Sequence, residues 1–335
     1  MKPVIFGLSG LSLTSDERAF FAEADPLGYI LFGRNVETRA QLRALTDELR
    51  ALSGRDDLPI LIDQEGGRVA RMKPPEWPAF PAGPAFDALY ETAPMSAIAA
   101  AKANGQALGA MLADVGITVD CAPLLDRRFD GTVAAIADRA FGGDAMQVAA
   151  LGRATLDGLA AAGVVGVVKH MPGHGRAVVD SHYELPVVHA SDAELEADIA
   201  PFRTLAPHAV MGMTCHLVFE AWDRANPATL SPTIIADVIR RRIGFDGLLM
   251  TDDIDMKALS GTAGDKAAGA IAAGCDVVLD CWARMDEMHD IADRLGEISD
   301  VSRARLDRAM ASVTRSFDGD IAEHVAKRDA LLALA

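Results

Sequence analysis

Eight short apolar runs, separated by longer amphipathic ones, constrain this chain more than anything else in it. They are PVIFG (3–7), GYILFG (28–33), PILID (59–63), ITVDC (117–121), VVGVVKH (164–170), AVMGMTCH (209–216), GLLMTDD (247–253) and CDVVLDC (275–281). All are rich in Val, Ile and Leu and lack polar alternation, as strands do when a parallel sheet is covered on both faces. The stretches between them have helical spacing. TRAQLRALTDELRAL (38–52) gathers its apolar residues on one face. SDAELEADIAPFRTLA (191–206) opens with Ser191 and, three residues on, Glu194, a capping box. SPTIIADVIRRRIGF (231–245) carries Pro232 in its first turn and Gly244 at its stop. Eight strand–helix repeats predict a single-domain (β/α)8 barrel over 1–335, with C-terminal packing helices from about 301. A doubly wound open sheet is the architectural competitor.

A chain of 335 residues, half of them hydrophobic, can fill such a barrel without disulfides. Its four cysteines, Cys121, Cys215, Cys275 and Cys281, form no CxxC pair and sit in strand-like contexts. Buried free thiols in a reducing compartment are expected. No run of about 18 apolar residues occurs, and the N-terminus lacks the pattern of a signal peptide. A cytoplasmic protein with no membrane partner is therefore expected. The formal charge of −16 argues against nucleic acid as a partner.

In (β/α)8 enzymes the active site lies at the C-terminal ends of the strands. Four runs end there in polar clusters: DQEGGRVAR (63–71), KHMPGHG (169–175), TCH (214–216) and TDD (251–253). Surface loops of a purely structural barrel give no reason for that repeated polarity. KHMPGHGRAVVDSH (169–182) also concentrates three of the eight histidines, His170, His174 and His182, beside Lys169 and Asp180. The Pro and Gly between His170 and His174 oppose the helix that would turn this pair into metal ligands, so no metal is expected. A Ser–His–Asp triad lacks its G-x-S-x-G elbow, and Ser181 is too close in sequence to His182 to serve that pair.

DQEGGRV, KHMPGHG followed by DSH, and GFDGLLMTDD are similar, in order and on the expected strands, to the motifs of glycoside hydrolase family 3. LFGRN and AAIADRAF also resemble its pieces. The chain resembles in particular the single-domain β-N-acetylglucosaminidases of that family, the NagZ type. The likeness runs from residue 3 to about 280, with Met171 and Thr251 standing where Phe and Ser are usual. It implies Asp252 as nucleophile, His182 as acid/base and Asp180 as the group that orients His182. It implies sugar contacts from Asp63, Arg71, Arg139, Lys169 and His170, and from His216 if that residue is not simply a satisfied core histidine. A strand end is a rigid place for a nucleophile, and the pleat turns the rival Asp253 away. The chain is too short for the second domain that supplies a carboxylic acid in larger relatives. A histidine can stand in, because its ordinary pKa lets it give and retake a proton near neutrality. Arg139 has a surface ion pair as its alternative, and Glu65 and Arg68 are expected to be structural, paired with each other.

The resemblance further implies a retaining exo-glycosidase acting as a monomer. It would remove terminal N-acetylglucosamine from GlcNAc-anhydro-muropeptides during peptidoglycan recycling, without cofactor or metal. Two other readings stay open. One is a phosphorylase of the same family, since a histidine repels phosphate less than a glutamate would. The other is a sugar-binding barrel with a dead site.

Overall fold

The computed structural model describes residues 1–181, 183–314 and 320–335. Its eight parallel strands are β1 (Lys2–Gly7), β2 (Pro26–Leu31), β3 (Ile60–Ile62), β4 (Val119–Asp120), β5 (Val165–Met171), β6 (Met211–Thr214), β7 (Leu248–Asp253) and β8 (Val277–Asp280). β1 pairs in parallel with both β2 and β8, which closes the sheet and excludes the open alternative.

The missing polar alternation has a direct cause, because most of the strands feed two apolar layers. Ile5, Leu61, Val119, Val165, Met211, Leu248 and Val277 belong to one cluster, which fills the barrel. Val4, Phe6, Ile60, Ile62, Val168, Leu249 and Val278 belong to another, shared with the surrounding helices. Leu306, Ala309 and Met310 of the helix Asp300–Met310 join the interior cluster. A further helix, Ile321–Leu332, packs on the long helix Pro94–Asp114, where Arg328 Nη1 donates to Asn104 Oδ1 at 3.2 Å. All four cysteines are free and buried. Among the described residues no helix is long and apolar enough to cross a membrane.

The expected helices form with their expected ends. Asp192–Leu205 has the full Ser191–Glu194 capping box. Ile234–Ile243 winds with wider, π-type turns and stops at Gly244 with φ 78°. One feature is not foreseen by the sequence. Val187–Val188 pairs with Val218–Phe219 in a small parallel sheet outside the barrel. The loop leaving β5 is thus tied at its far end to the segment that follows β6.

Candidate active site

The strand ends open into a cavity of about 700 Å3. Asp63, Arg71, Arg139, Lys169, His170, Asp180 and Asp252 all line it. His182 lies outside the described residues.

An alternating row of charges forms one wall. The Lys169 ammonium, 2 % exposed, lies 3.1 Å from Asp63 Oδ1 and 2.6 Å from Glu65 Oε1. Arg71 Nη2 donates to Asp63 Oδ2 at 3.1 Å, and Arg139 grips Glu65 through Nε at 2.8 Å and Nη2 at 2.6 Å. Burial alone would depress the lysine and raise both carboxyls. Glu65 and Asp63 instead hold Lys169 above the ordinary lysine value. Lys169 and Arg71 likewise hold Asp63 below its usual range, and Arg139 with Lys169 does the same for Glu65. Lys169, Arg139 and both carboxylates therefore stay ionised at neutral pH, a suitable surface for sugar hydroxyls.

Two expectations change here. Glu65 does not pair with Arg68. It sits inward between Lys169 and Arg139, and Arg68 reaches outward to Asp138 at 2.7 Å. The two side chains leave the loop after β3 in different directions, so closeness in sequence does not bring them together. Arg139 makes an ion pair, but a buried one.

Across the cavity, Asp252 and Asp253 end β7 with their carboxyls shifted in opposite directions. Asp252 Oδ1 accepts the backbone N–H of Asp253 at 2.8 Å, and Oδ2 stands 3.9 Å from His170 Nε2. Burial works to raise Asp252, but His170, His216, the Asp253 N–H and Lys169 together more than offset it and leave the carboxyl below its usual range. Asp253 is pushed up to about 6 by burial and by its neighbours Asp252 and Asp255. Its Oδ1 is occupied by the N–H groups of Asp255 and Cys281, at 3.2 and 3.3 Å. Asp253 lines the cavity too, so the pleat does not turn it away as expected, but of the two Asp252 is the more acidic carboxylate, held ionised well below neutral pH.

His216 is a correction. Expected at the mouth, it is fully buried beneath it and does not line the cavity. Its Nδ1 shares a hydrogen bond with the Thr229 hydroxyl at 2.7 Å, and its Nε2 donates to the Asp253 carbonyl at 2.9 Å. Both ring nitrogens are used, so it supports the end of β7 from below. The glycines of the β5 loop differ in their reasons. Gly173 has φ 138°, whereas a Cβ on Gly175 would lie 1.8 Å from the Arg127 carbonyl oxygen.

Sequence reasoning missed other residues. Asp126, fully buried, accepts from His170 at Nδ1 (2.7 Å) and from the backbone N–H groups of His170 (3.2 Å) and His174 (2.6 Å). The strand-end rule, applied to CAPLLD after β4, was the signal for it. Trp282 and Tyr183, 56 % and 73 % exposed, also line the cavity. The guanidinium of Arg34 stacks 4.8 Å from Phe32 and 5.9 Å from Trp282. Among the described residues no group of His, Cys, Asp and Glu is arranged to hold a metal ion.

A closed barrel with an ionised aspartate at the end of β7, faced by a row of buried charges, matches known proteins at every level of comparison. The β-hexosaminidase of Aromatoleum aromaticum is 38 % identical over 313 residues, covering 91 % of this chain and 86 % of its own. The crystal structure of NagZ from Neisseria gonorrhoeae in complex with N-trifluoroacetyl-D-glucosamine superposes with a TM-score of 0.89 at 31 % identity, covering 100 % of this chain and 98 % of its own. A glycoside hydrolase family 3 β-N-acetylglucosaminidase from a Paenibacillus strain gives 0.87 at 32 %, covering 98 % of this chain and 66 % of its own. Residues 12–316 match the N-terminal domain of glycosyl hydrolase family 3, and this chain is a member of that family.

Proposed function

We propose that this β-N-acetylhexosaminidase removes terminal, non-reducing β-linked N-acetylglucosamine with retention of configuration, through a covalent glycosyl–Asp252 intermediate. The observation that carries the reading is Asp252 itself. It is a carboxylate kept ionised on a rigid strand end, with Oδ2 open to a cavity that Asp63, Arg71 and Lys169 line. Oδ2 attacks the anomeric carbon while the glycosidic oxygen leaves with a proton from His182. Water then attacks the same carbon, His182 takes back a proton, and the bond to Asp252 breaks. The part given to His182 rests on its sequence position after Asp180, which lines the cavity, and on the aptness of an imidazole for two-way proton transfer at neutral pH.

Asp63, Arg71 and Lys169 bind the sugar ring in this scheme, and Arg139 acts through Glu65 and Lys169. His170 lies beside Asp252 and stabilises its charge. The family motifs bring muropeptide-derived substrates, cell-wall recycling, a cytoplasmic setting and a monomeric catalytic unit into the proposal. The experiment is mass spectrometry after reaction with a fluorinated N-acetylglucosaminide whose deglycosylation is slow. The label is expected on Asp252, and a label on Asp253 or no covalent adduct overturns the reading. Turnover with and without inorganic phosphate, with the product tested for sugar 1-phosphate, separates hydrolysis from phosphorolysis.

A further inference from the structure

The catalytic wall of β7 and the loop leaving β5 are joined by a continuous buried chain of polar contacts. Asp252 Oδ2 stands 3.9 Å from His170 Nε2, and His170 Nδ1 lies 2.7 Å from Asp126 Oδ2. Asp126 Oδ1 accepts the backbone N–H of His174 at 2.6 Å, and His174 Nε2 lies 3.1 Å from the Ser181 hydroxyl. Asp126, His174 and Ser181 are 0 %, 4 % and 3 % exposed. In the sequence Ser181 stands between Asp180 and His182.

His174 is an unusual choice if its work is only to fill space. Among the described residues its Nδ1 makes no hydrogen bond, so Ser181 is the sole hydrogen-bond partner of a buried ring. Burying a polar ring costs free energy unless its contacts compensate. A phenylalanine of similar shape would pack there at less cost. The ring is also in edge contact with His170, centroids 5.6 Å apart. Burial and the charge of His170 push it down to about 4, so it stays neutral through the working pH range. It can therefore serve as a constant partner to a hydroxyl, donor or acceptor, without changing charge. Consecutive Cα atoms are only about 3.8 Å apart, so fixing Ser181 restricts both of its neighbours. At its far end the loop is held by the pairing of Val187–Val188 with Val218–Phe219. Between β5 and that pairing, the His174–Ser181 bond secures the middle.

We propose that His174 and Ser181 form a latch that fixes the β5 loop immediately before the acid/base residue, with Asp126 joining the latch to His170 and so to the Asp252 wall. Both are positioning residues, and neither transfers a proton. The proposal rests on the reading of His182 as acid/base given above.

The test compares His174→Phe, Ser181→Ala, the double variant and the conservative Ser181→Thr, with His182→Ala run alongside. Each is assayed on a disaccharide and on a dinitrophenyl N-acetylglucosaminide. Thermal unfolding and N-acetylglucosamine affinity are also measured. A loosened acid should cost the disaccharide roughly tenfold in kcat, part of the ~10²–10⁴-fold that general acid catalysis supplies. Glycosylation by the dinitrophenyl substrate, which needs no acid, should stay near wild type, as should sugar affinity. The double variant should be no worse than the single ones, because one contact is lost in each case, and Ser181→Thr should restore turnover. Equal losses on both substrates, no loss on either, or losses that follow sugar affinity or unfolding overturn the latch. If His174→Phe does not fold, Ser181→Ala still decides. If His182→Ala keeps its leaving-group dependence and Ser181→Ala shows none, the latch alone falls. If His182→Ala itself loses equally on both substrates, the acid/base reading falls and takes the latch with it.

Discussion

His170 Nε2 stands 3.9 Å from Asp252 Oδ2, and the other side of the same ring is held by Asp126 at 2.7 Å. The imidazole is fixed edge-on to the proposed nucleophile, and its charge is the largest influence opposing burial in keeping Asp252 ionised. A carboxylate nucleophile loses activity as pH falls through its pKa. With Asp252 held below the ordinary aspartate value of about 4, the acid limb of kcat/KM due to this group lies below that pH in the wild type. His170→Ala should move the limb upward, beyond the general loss of rate. A limb that stays in place while the rate falls would mean that His170 does not stabilise the charge.

Glu65 and Arg68 are three residues apart and should behave oppositely. Glu65 neutralises two buried cations, with side-chain exposures of 9 % for Glu65, 2 % for Lys169 and 13 % for Arg139. Removing one partner of a buried pair costs about 3–5 kcal/mol, so Glu65→Ala should unfold at distinctly lower urea concentration. The Arg68–Asp138 pair is about half exposed, and exposed pairs contribute about 0–1 kcal/mol. Arg68→Ala should leave the urea midpoint nearly unchanged. Comparable losses from both would contradict the inward placement of Glu65.

Arg71 meets Asp63 through a single nitrogen, and its buried Nε has no partner among the described residues. In the proposed scheme the guanidinium, which lines the cavity, has donor capacity to spare for the sugar. A lost charge-assisted hydrogen bond is worth about 1.5–3 kcal/mol, so Arg71→Ala should raise KM about tenfold or more with a smaller change in kcat. An unchanged KM would remove Arg71 from the contact set.

The barrel was legible because burial on both faces leaves a mark that few other arrangements leave, a strand with no polar alternation. The position of the site was legible because polar residues such as Asp63, Lys169 and Asp252 collect where apolar strands stop. Direction was not. A residue at a strand end faces the cavity or the neighbouring strand according to a pleat whose phase shifts with one residue, and that difference sends His216 under the mouth while Asp252 lines it. Partners across strands were not legible either. Lys169, Glu65 and Arg139 come from three separate segments, and only the closed barrel brings them together. Asp126 ends a segment, CAPLLD, in which all but the last residue reads as core.

Asp280, at the end of β8, is a buried carboxyl whose Oδ2 has no hydrogen-bond partner among the described residues. Burial, then the charge of Asp253, pushes it up to about 8. Near pH 4 and below, both folded and unfolded chains hold this proton. Between about 4 and 8 the unfolded chain has released it and the folded chain has not, so this group lowers stability progressively as pH rises. Asp280→Asn removes that dependence. The variant's gain in Tm over the wild type should grow from pH 5 to pH 8. A gain independent of pH would show that Asp280 is not held protonated.

In the proposed scheme His182 acts in both chemical steps, and that makes its role separable from simple binding. In the first step it protonates the departing oxygen. A sugar leaving group needs that proton, so His182→Ala should lose ~10²–10⁴-fold on a disaccharide. Dinitrophenolate leaves as a stable anion, so the same variant should form the glycosyl–Asp252 intermediate at close to the wild-type rate. In the second step the missing base slows attack by water. The intermediate should then accumulate, and a burst of dinitrophenolate should precede a slow steady state. Azide needs no base, so adding it should raise the steady-state rate and yield the β-glycosyl azide. Asp180 lines the cavity beside this segment and, in the proposed scheme, orients the imidazole without moving a proton. Asp180→Ala should therefore show the same leaving-group dependence in weaker form. An equal loss on both substrates in His182→Ala, with no burst and no azide product, would make His182 a binding residue. Asp253, pushed up to about 6 and lining the same cavity, would then be the next group to test as the proton donor.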